Sequence, residues 1–185
     1  PDLLENELFG HVSGAFTGAV KRKDGLFAAA DGGTLFIDEI ADMNPGVQAS
    51  LLRAIETGVF RPLGSIREQR TNVRILAAVN RDLAGEVAAG RFRQDLFFRL
   101  SVLVIQMPPL RERIDDIPLL VEEYLRRTFA TQKGFRFDPE AVRILQTYSW
   151  PGNVRELFNI CERAVLLSND KIITMIDVGR FNATL

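Results

Sequence analysis

The chain has 185 residues, 46% hydrophobic and 25% charged, with 23 Lys and Arg against 24 Asp and Glu for a net charge of −1. This composition excludes an intrinsically disordered chain and supplies no global basic field that would make nucleic acid the main partner. No apolar stretch is long enough to span a bilayer, no secretory h-region is present, and the single Cys161 cannot form an internal disulfide, so a reducing cytoplasm is the expected compartment. The length allows one substantial core and a small second one. A start at Pro1 instead of Met points to an excised or processed segment.

Residues 2–9 set Leu3, Leu4 and Leu8 among acids, a pattern for a short helix that Gly10 ends. Gly14-Ala15-Phe16-Thr17-Gly18-Ala19 then shows neither helical nor strand period, and Lys21-Arg22-Lys23 follows it. Its glycines let the loop fold back with Phe16 and Thr17 at the tip, where an exposed aromatic favours a contact over a solvated turn. Use as a phosphate cradle would need a Gly-Lys-Ser/Thr ending, which this loop lacks. His11, the sole histidine, has no partner ligands nearby in sequence and reads as a loop or core residue.

Thr34, Leu35, Phe36 and Ile37 form an apolar run opened by Gly32-Gly33 and closed by Asp38 and Glu39, which predicts a buried strand delivering charge at its C-terminal end. Open α/β sheets keep their ligands there. Adjacent side chains on a strand point to opposite sides, so the two acids have different tasks: one can hold a hydrated Mg²⁺ while the other orients or deprotonates an attacking water. Two solvated acids after a core strand is the plainer alternative.

Asn44 with Pro45 predicts a helix start, and Leu51, Leu52 and Ile55 give it an apolar face up to Gly58. Residues 59–72 read as a hairpin or irregular insertion. Residues 73–80 predict a second buried strand ending at Asn80, which can bond a phosphate or an attacking water, since Asp82 is available to cap the short helix over 83–89. Residues 102–105 predict a third strand, ended by Met107-Pro108-Pro109. Strands alternating with helices point to a parallel α/β sheet. Between the second and third strands, Arg93 and Arg99 lie on a short element held down by Leu96, Phe97 and Leu100. They are surface ion pairs, with Asp95 as a partner, or arginine fingers reaching a neighbouring subunit's phosphoryl group.

Past Pro109 the predicted strands stop. Asp115 or Asp116 opens a helix through Leu119, Leu120, Tyr124 and Leu125; Asp138-Pro139 opens another; Asn153 with Glu156 makes a capping-box-like start for a third. That third helix carries Leu157, Ile160, Cys161, Ala164 and Val165 on one stripe, which makes Cys161 a core residue. Arg155 sits in its first turn, where a cation opposes the helix dipole and calls for a phosphate or a structural carboxylate. The region reads as a small helical bundle.

Four stretches together resemble one family: Gly14-Ala15-Phe16-Thr17-Gly18-Ala19; residues 25–40 with Gly32-Gly33-Thr34-Leu35-Phe36-Ile37-Asp38-Glu39; Pro108-Pro109-Leu110-Arg111-Glu112-Arg113; and Trp150-Pro151-Gly152-Asn153-Val154-Arg155-Glu156-Leu157. They are similar, from Asp2 to about Asp177, to the central domain of sigma-54-dependent transcriptional activators, the bacterial enhancer-binding proteins, which are AAA+ ATPases. The resemblance implies a P-loop NTPase-type parallel α/β sheet over 1–110, followed by a helical lid over 111–185. It implies ATP and Mg²⁺ as cofactors, with Asp38 serving the metal through water and Glu39 the attacking water. Asn80 is then the first sensor, Arg93 and Arg99 the trans-acting fingers, and Arg155 the second sensor. Gly14, Ala15, Phe16, Thr17, Gly18 and Ala19 form the loop that grips the sigma factor. The implied partners are sigma-54 RNA polymerase and further copies of the chain in a ring, commonly a hexamer, with DNA met only through a domain outside this chain.

Three departures from the family pattern stand out. No Gly-x-x-x-x-Gly-Lys-Ser/Thr occurs, so the phosphate loop and its flanking elements, which the family places before Pro1, are missing here. The family's sheet order puts the strand before that loop between the strands that here are residues 73–79 and 102–105. Val79 stands where a hydroxyl usually precedes the sensor Asn80, and the chain ends without a helix-turn-helix. The expected function is ATP-dependent activation of sigma-54 RNA polymerase; the alternative is a non-hydrolysing interaction module of the same family.

Overall fold

The computed structural model describes residues 3–129, 134–168 and 170–174, and it divides into two compact units, Pro1–Val104 and Ile105–Leu185. The first unit runs α1 (Leu3–Phe9), β1 (Gly10–His11), β2 (Lys23–Asp24), α2 (Leu26–Ala29), β3 (Thr34–Ile37), a 3-10 turn (Ile40–Asp42) and α3 (Pro45–Thr57). It continues through β4 (Val59–Phe60), β5 (Gln69–Arg70), β6 (Arg74–Ala77), α4 (Leu83–Ala88) and α5 (Gln94–Leu100).

Strands β3 and β6 pair in parallel, Thr34 opposite Arg74 through Ile37 opposite Ala77. The alternation of β3 turns Leu35 and Ile37 into the core and leaves Phe36 61% exposed on the other face. The core they join is built from Ile40, Met43, Val47, Leu51 and Leu96, with Phe9, Phe27 and Phe60 clustered at ring separations of 5.4 to 6.1 Å. Helix α3 starts as predicted: Asn44 Oδ1 accepts from Val47 N at 2.9 Å, Pro45 fills the first turn, and Gly58 closes the helix in a left-handed conformation. Gly10 and Gly25 sit back to back. A Cβ on Gly25 would fall 2.3 Å from the Phe9 carbonyl carbon, so only glycine lets α1 and α2 approach this closely.

The expectation of two buried strands, and of a third strand over residues 102–105, is corrected. Strand β6 spans only Arg74–Ala77, with Ile75 half-buried and Leu76 46% exposed. Residues 102–105 form no strand, and Val102, Leu103, Val104 and Ile105 are all exposed. An apolar β-branched run has strand propensity, but a strand exists only where a neighbour takes up its backbone hydrogen bonds, and none of the described residues does so. Residues 59–72 contain the expected hairpin pairing, Val59 with Arg70 and Phe60 with Gln69.

The second unit holds α6 (Ile117–Thr128), β7 (Arg136–Phe137), α7 (Pro139–Thr147), α8 (Asn153–Leu167) and β8 (Ile172–Ile173). Its core includes Leu110, Ile117, Val121, Leu145, Leu157 and the predicted α8 stripe of Ile160, Cys161, Ala164 and Val165. Trp150 is fully buried, and its indole Nε1 donates to Leu145 O at 2.7 Å. Three expectations differ from what forms. Strands do not stop at Pro109, because β7 and β8 pair in parallel; with two residues each they are too short to leave a period in the sequence. Helix α6 buries Ile117, Val121 and Leu125 and leaves Leu119 69% exposed, and Asp115 and Asp116 lie in a preceding 3-10 turn without capping it by side chain. At α8, Gly152 takes the N-cap position: Glu156 Oε2 accepts from Gly152 N at 2.8 Å, while Asn153 Oδ1 accepts from Leu110 N at 2.8 Å. The part of the expected lid beyond Thr174 lies outside the described residues.

Candidate functional site

The candidate site gathers at the C-terminal ends of β3 and β6. Past Ile37 the two strand ends stay tied, with Ala78 N donating to Ile37 O at 2.8 Å and Ile40 N to Ala78 O at 3.1 Å. Between those ties the backbone turns sharply: Glu39 adopts φ 51 and ψ 44, a left-handed conformation that a side-chain-bearing residue holds at some cost and that clusters at functional sites. The turn separates the two acids. Glu39 N donates to Asp38 Oδ1 at 2.9 Å, and Asn80 Nδ2 donates to Glu39 Oε1 at 3.3 Å. All three side chains are exposed to solvent.

Chemically this is a carboxylate whose orientation is set by a neutral amide donor, beside a second carboxylate with one oxygen engaged by backbone. No protein donor meets the other Asp38 oxygen among the described residues. One free carboxylate oxygen suits Mg²⁺, which keeps several waters and takes few protein ligands. Beside Asn80, Arg81 Nη2 donates to Asp42 Oδ1 at 2.5 Å and bridges the two loops that carry the acids and the amide.

Arg93 and Arg99 lie at opposite ends of α5. Arg93 is paired with Asp95 through two bonds of 3.0 and 2.6 Å, and the guanidinium holds the Asp95 carboxyl below its ordinary range. Arg99 makes a long contact of 3.4 Å to Ile55 O. No hydrogen bond among the described residues joins either arginine to Asp38, Glu39 or Asn80. Arg155, in the second unit, is exposed in the first turn of α8 and makes no ion pair among the described residues.

The Gly14 to Ala19 loop is closed by Gly14 N to Ala19 O at 2.8 Å and Ala19 N to Phe16 O at 3.0 Å. It leans on the turn at Leu63-Gly64: Val12 N donates to Leu63 O at 3.1 Å, and a Cβ on Gly64 would sit 2.7 Å from that of Ala15. Thr17 and Gly18 are exposed at the tip, but Phe16 is half-buried, its ring 5.0 Å from that of His11. The expectation of a fully exposed aromatic is thereby corrected, because an imidazole beneath the loop gives the ring a surface to cover. His11 itself is buried and bonded through Nδ1 to Asn6 Oδ1 at 2.6 Å.

The sequence reading passed over Gln48, the side chain that links α3 to the Arg93 loop. Gln48 is fully buried, its Oε1 accepts from Arg93 N at 2.8 Å, and its Nε2 donates to Met43 O at 2.7 Å and Arg91 O at 3.0 Å. The signal was there: Gln48 stands beside Val47 and one turn before Leu51 and Leu52, on a face that is otherwise apolar.

A parallel α/β unit with paired acids after one strand and an amide after its neighbour, together with a separate small helical unit, defines an AAA+ fold. Family comparison agrees: residues 1–106 match the Sigma-54 interaction domain and residues 111–182 the AAA+ ATPase lid domain. The chain belongs to the sigma-54 interaction family. It is 54% identical over 177 residues to the transcriptional regulatory protein ZraR of Salmonella typhimurium, covering 93% of this chain and 40% of that protein. It is 52% identical over 174 residues to the Nif-specific regulatory protein of Azotobacter vinelandii, covering 93% of this chain and 33% of the relative. The chain therefore spans well under half the length of these relatives. Among solved structures, NtrX from Brucella abortus in complex with ADP superposes with a TM-score of 0.85 at 36% identity, over 98% of this chain and 41% of that one. A RuvB mutant from Thermotoga maritima, at 19% identity and a TM-score of 0.57, shares the fold. No helix among the described residues is long and apolar enough to cross a membrane.

Proposed function

We propose that this chain is part of an ATP-hydrolysing ring that activates sigma-54 RNA polymerase. The observation that carries the reading is the contact between Asn80 Nδ2 and Glu39 Oε1 at the ends of two adjacent parallel strands. Glu39 positions and deprotonates the attacking water, and Asn80 orients the carboxylate and senses the terminal phosphate. Asp38 would hold the Mg²⁺ through water, and the metal would supply positive charge against the transferring phosphoryl group. Arg93 and Arg99 complete the site of a neighbouring subunit in a ring, commonly a hexamer in this family, and Arg155 contacts the nucleotide from the lid. Residues 1–110 thus carry the sheet, and residues 111–185 the lid. The Gly14, Ala15, Phe16, Thr17, Gly18 and Ala19 loop delivers the work of hydrolysis to the sigma factor; DNA is met through a region other than this one, and the setting is the cytoplasm.

The relatives, regulatory proteins such as ZraR and the Nif-specific regulator, and the ADP complex of NtrX support this reading. The test is Glu39→Ala in the complete protein. ATP binding should remain while the hydrolysis rate falls by about 100-fold or more, the scale of a lost general base. Unchanged turnover would remove Glu39 from the mechanism.

A further inference from the structure

Among the described residues two polar side chains are buried, His11 and Gln48, and only Gln48 is wholly inaccessible. A buried primary amide is retained at a cost unless its groups are paired, and a Leu or Met of similar size would pack an apolar face with no such requirement. Gln48 meets the requirement with three bonds to three backbone groups: Arg93 N, Met43 O and Arg91 O. The bonds also fix which end of the amide is which, because one N–H must face an oxygen and two carbonyls must face the NH₂ group. A glutamate could not replace it, having no proton to donate when ionised.

The three groups belong to two segments. Met43 closes the 3-10 turn that begins at Glu39, with its own N–H donating to Ile40 O at 3.3 Å. Arg91 and Arg93 form the connection into α5, where Arg93 is the N-cap. A single planar amide therefore clamps the segment that follows the water-positioning acid to the backbone of Arg93.

We infer that Gln48 is the positioning residue for Arg93: it sets where that arginine stands and ties it to the Glu39–Met43 segment of its own subunit. The inference rests on the reading of Arg93 as a trans-acting finger. It makes the hydrolytic turn of one subunit and the finger that subunit offers its neighbour parts of one rigid connection. Asp95 orients the guanidinium, while Gln48 fixes the backbone from which it projects.

The test is subunit mixing in the complete protein, read as ATP hydrolysis. Gln48→Met alone should lower kcat by about tenfold or more while the KM for ATP changes by less than about threefold, the pattern of lost orientation. Mixed with Glu39→Gln subunits, it should recover activity, because interfaces then form that pair an intact Glu39 with an intact finger. Mixed with Arg93→Ala subunits it should not, since neither supplies a sound finger. A general loss of structure would give no recovery with either partner, and recovery with Arg93→Ala, or full activity of Gln48→Met alone, would overturn the inference. The mixture of Arg93→Ala with Glu39→Gln is the control: if it stays inactive, the trans-acting reading itself fails. If it recovers while Gln48→Met with Glu39→Gln does not, the assignment of Gln48 alone fails. Gln48→Asn, which keeps the amide but draws it back by one methylene, should show the same mixing pattern. Should neither variant assemble, amide exchange at Arg93 in the unsubstituted protein decides: slowing by about 100-fold or more supports the clamp, and free exchange overturns it.

Discussion

Asn80 reaches across from the end of β6 to donate to Glu39 at the end of β3, a bond of 3.3 Å between residues 41 positions apart. Its geometry depends on the left-handed turn at Glu39, which lifts the carboxylate out of the strand direction and toward the neighbouring strand. Asn80→Ala should therefore leave ATP affinity nearly intact and lower hydrolysis by about ten- to 100-fold, as expected when an orienting bond to a general base is lost. Asn80→Asp should be at least as impaired, since it sets one carboxylate against another. Single-turnover kinetics with binding measured separately distinguish the two steps; wild-type rates in both variants would show that the bond has no part in turnover.

The tip of the Gly14 to Ala19 loop offers a hydroxyl and backbone, with no group suited to phosphate chemistry. Thr17→Ala should preserve ATP hydrolysis and abolish binding to the sigma factor, as co-sedimentation would detect. Intact binding with lost hydrolysis would reverse the assignment.

A stability prediction follows from Asn153. Its backbone is left-handed at φ 53, and its side chain accepts from Leu110 N. Asn153→Gly keeps the backbone preference and loses the hydrogen bond, costing about 1 kcal/mol. Asn153→Ala loses both, and should cost a further ~1 kcal/mol. Urea unfolding of both variants gives the comparison, and equal stability of the two would show that the left-handed backbone carries no penalty here.

Burial pushes the Cys161 thiol up to about 12. The unfolded chain releases this proton near pH ~8.5, whereas the folded one holds it, so the unfolded state is favoured as pH rises between those values. Stability should be unaffected below the lower value and fall by up to about 1.4 kcal/mol per pH unit above it. Tyr124 and Tyr148, also raised by burial, act in the same direction. The contribution of Cys161 is the difference between wild type and Cys161→Ala in alkaline melts, and parallel curves would refute it.

Expressed alone, residues 1–185 should bind ATP weakly or not at all and be prone to aggregation. Val102, Leu103, Val104 and Ile105 expose most of their surface, and β6 leaves Leu76 partly uncovered. Apolar edges of this kind recruit other chains. A soluble monomer with one sharp melt and amide protection across residues 73–79 and 102–105 would contradict this.

How far the sequence foretold these features depended on whether their cause was local. The Asn44-Pro45, Asp82 and Asp138-Pro139 helix starts depend on neighbours two or three residues away, and each forms with its side-chain acceptor in place. The two strands that end at Asp38-Glu39 and at Asn80 were legible because each is an apolar run closed by polar residues, but the contact of Asn80 with Glu39, 41 positions away, has no local signature. Residues 102–105 are such an apolar run and form no strand, since a ladder partner is a nonlocal requirement that the run itself cannot express. Asn153 offered a capping signature, but its side chain bonds Leu110, 43 positions earlier, and Gly152 takes the cap. Gln48 looked like an interruption of an apolar face because its three partners lie on two other segments.

The bidentate Arg93–Asp95 pair has a consequence for assembly. Within a single subunit the guanidinium already has a carboxylate partner, so in the proposed ring it does not capture an anion from solution but exchanges one anion for another. An exchange of this kind changes the number of released counterions little. Ring formation through Arg93 should therefore respond weakly to salt, and a free subunit keeps its finger sheathed against stray phosphates until a neighbour's nucleotide outcompetes Asp95.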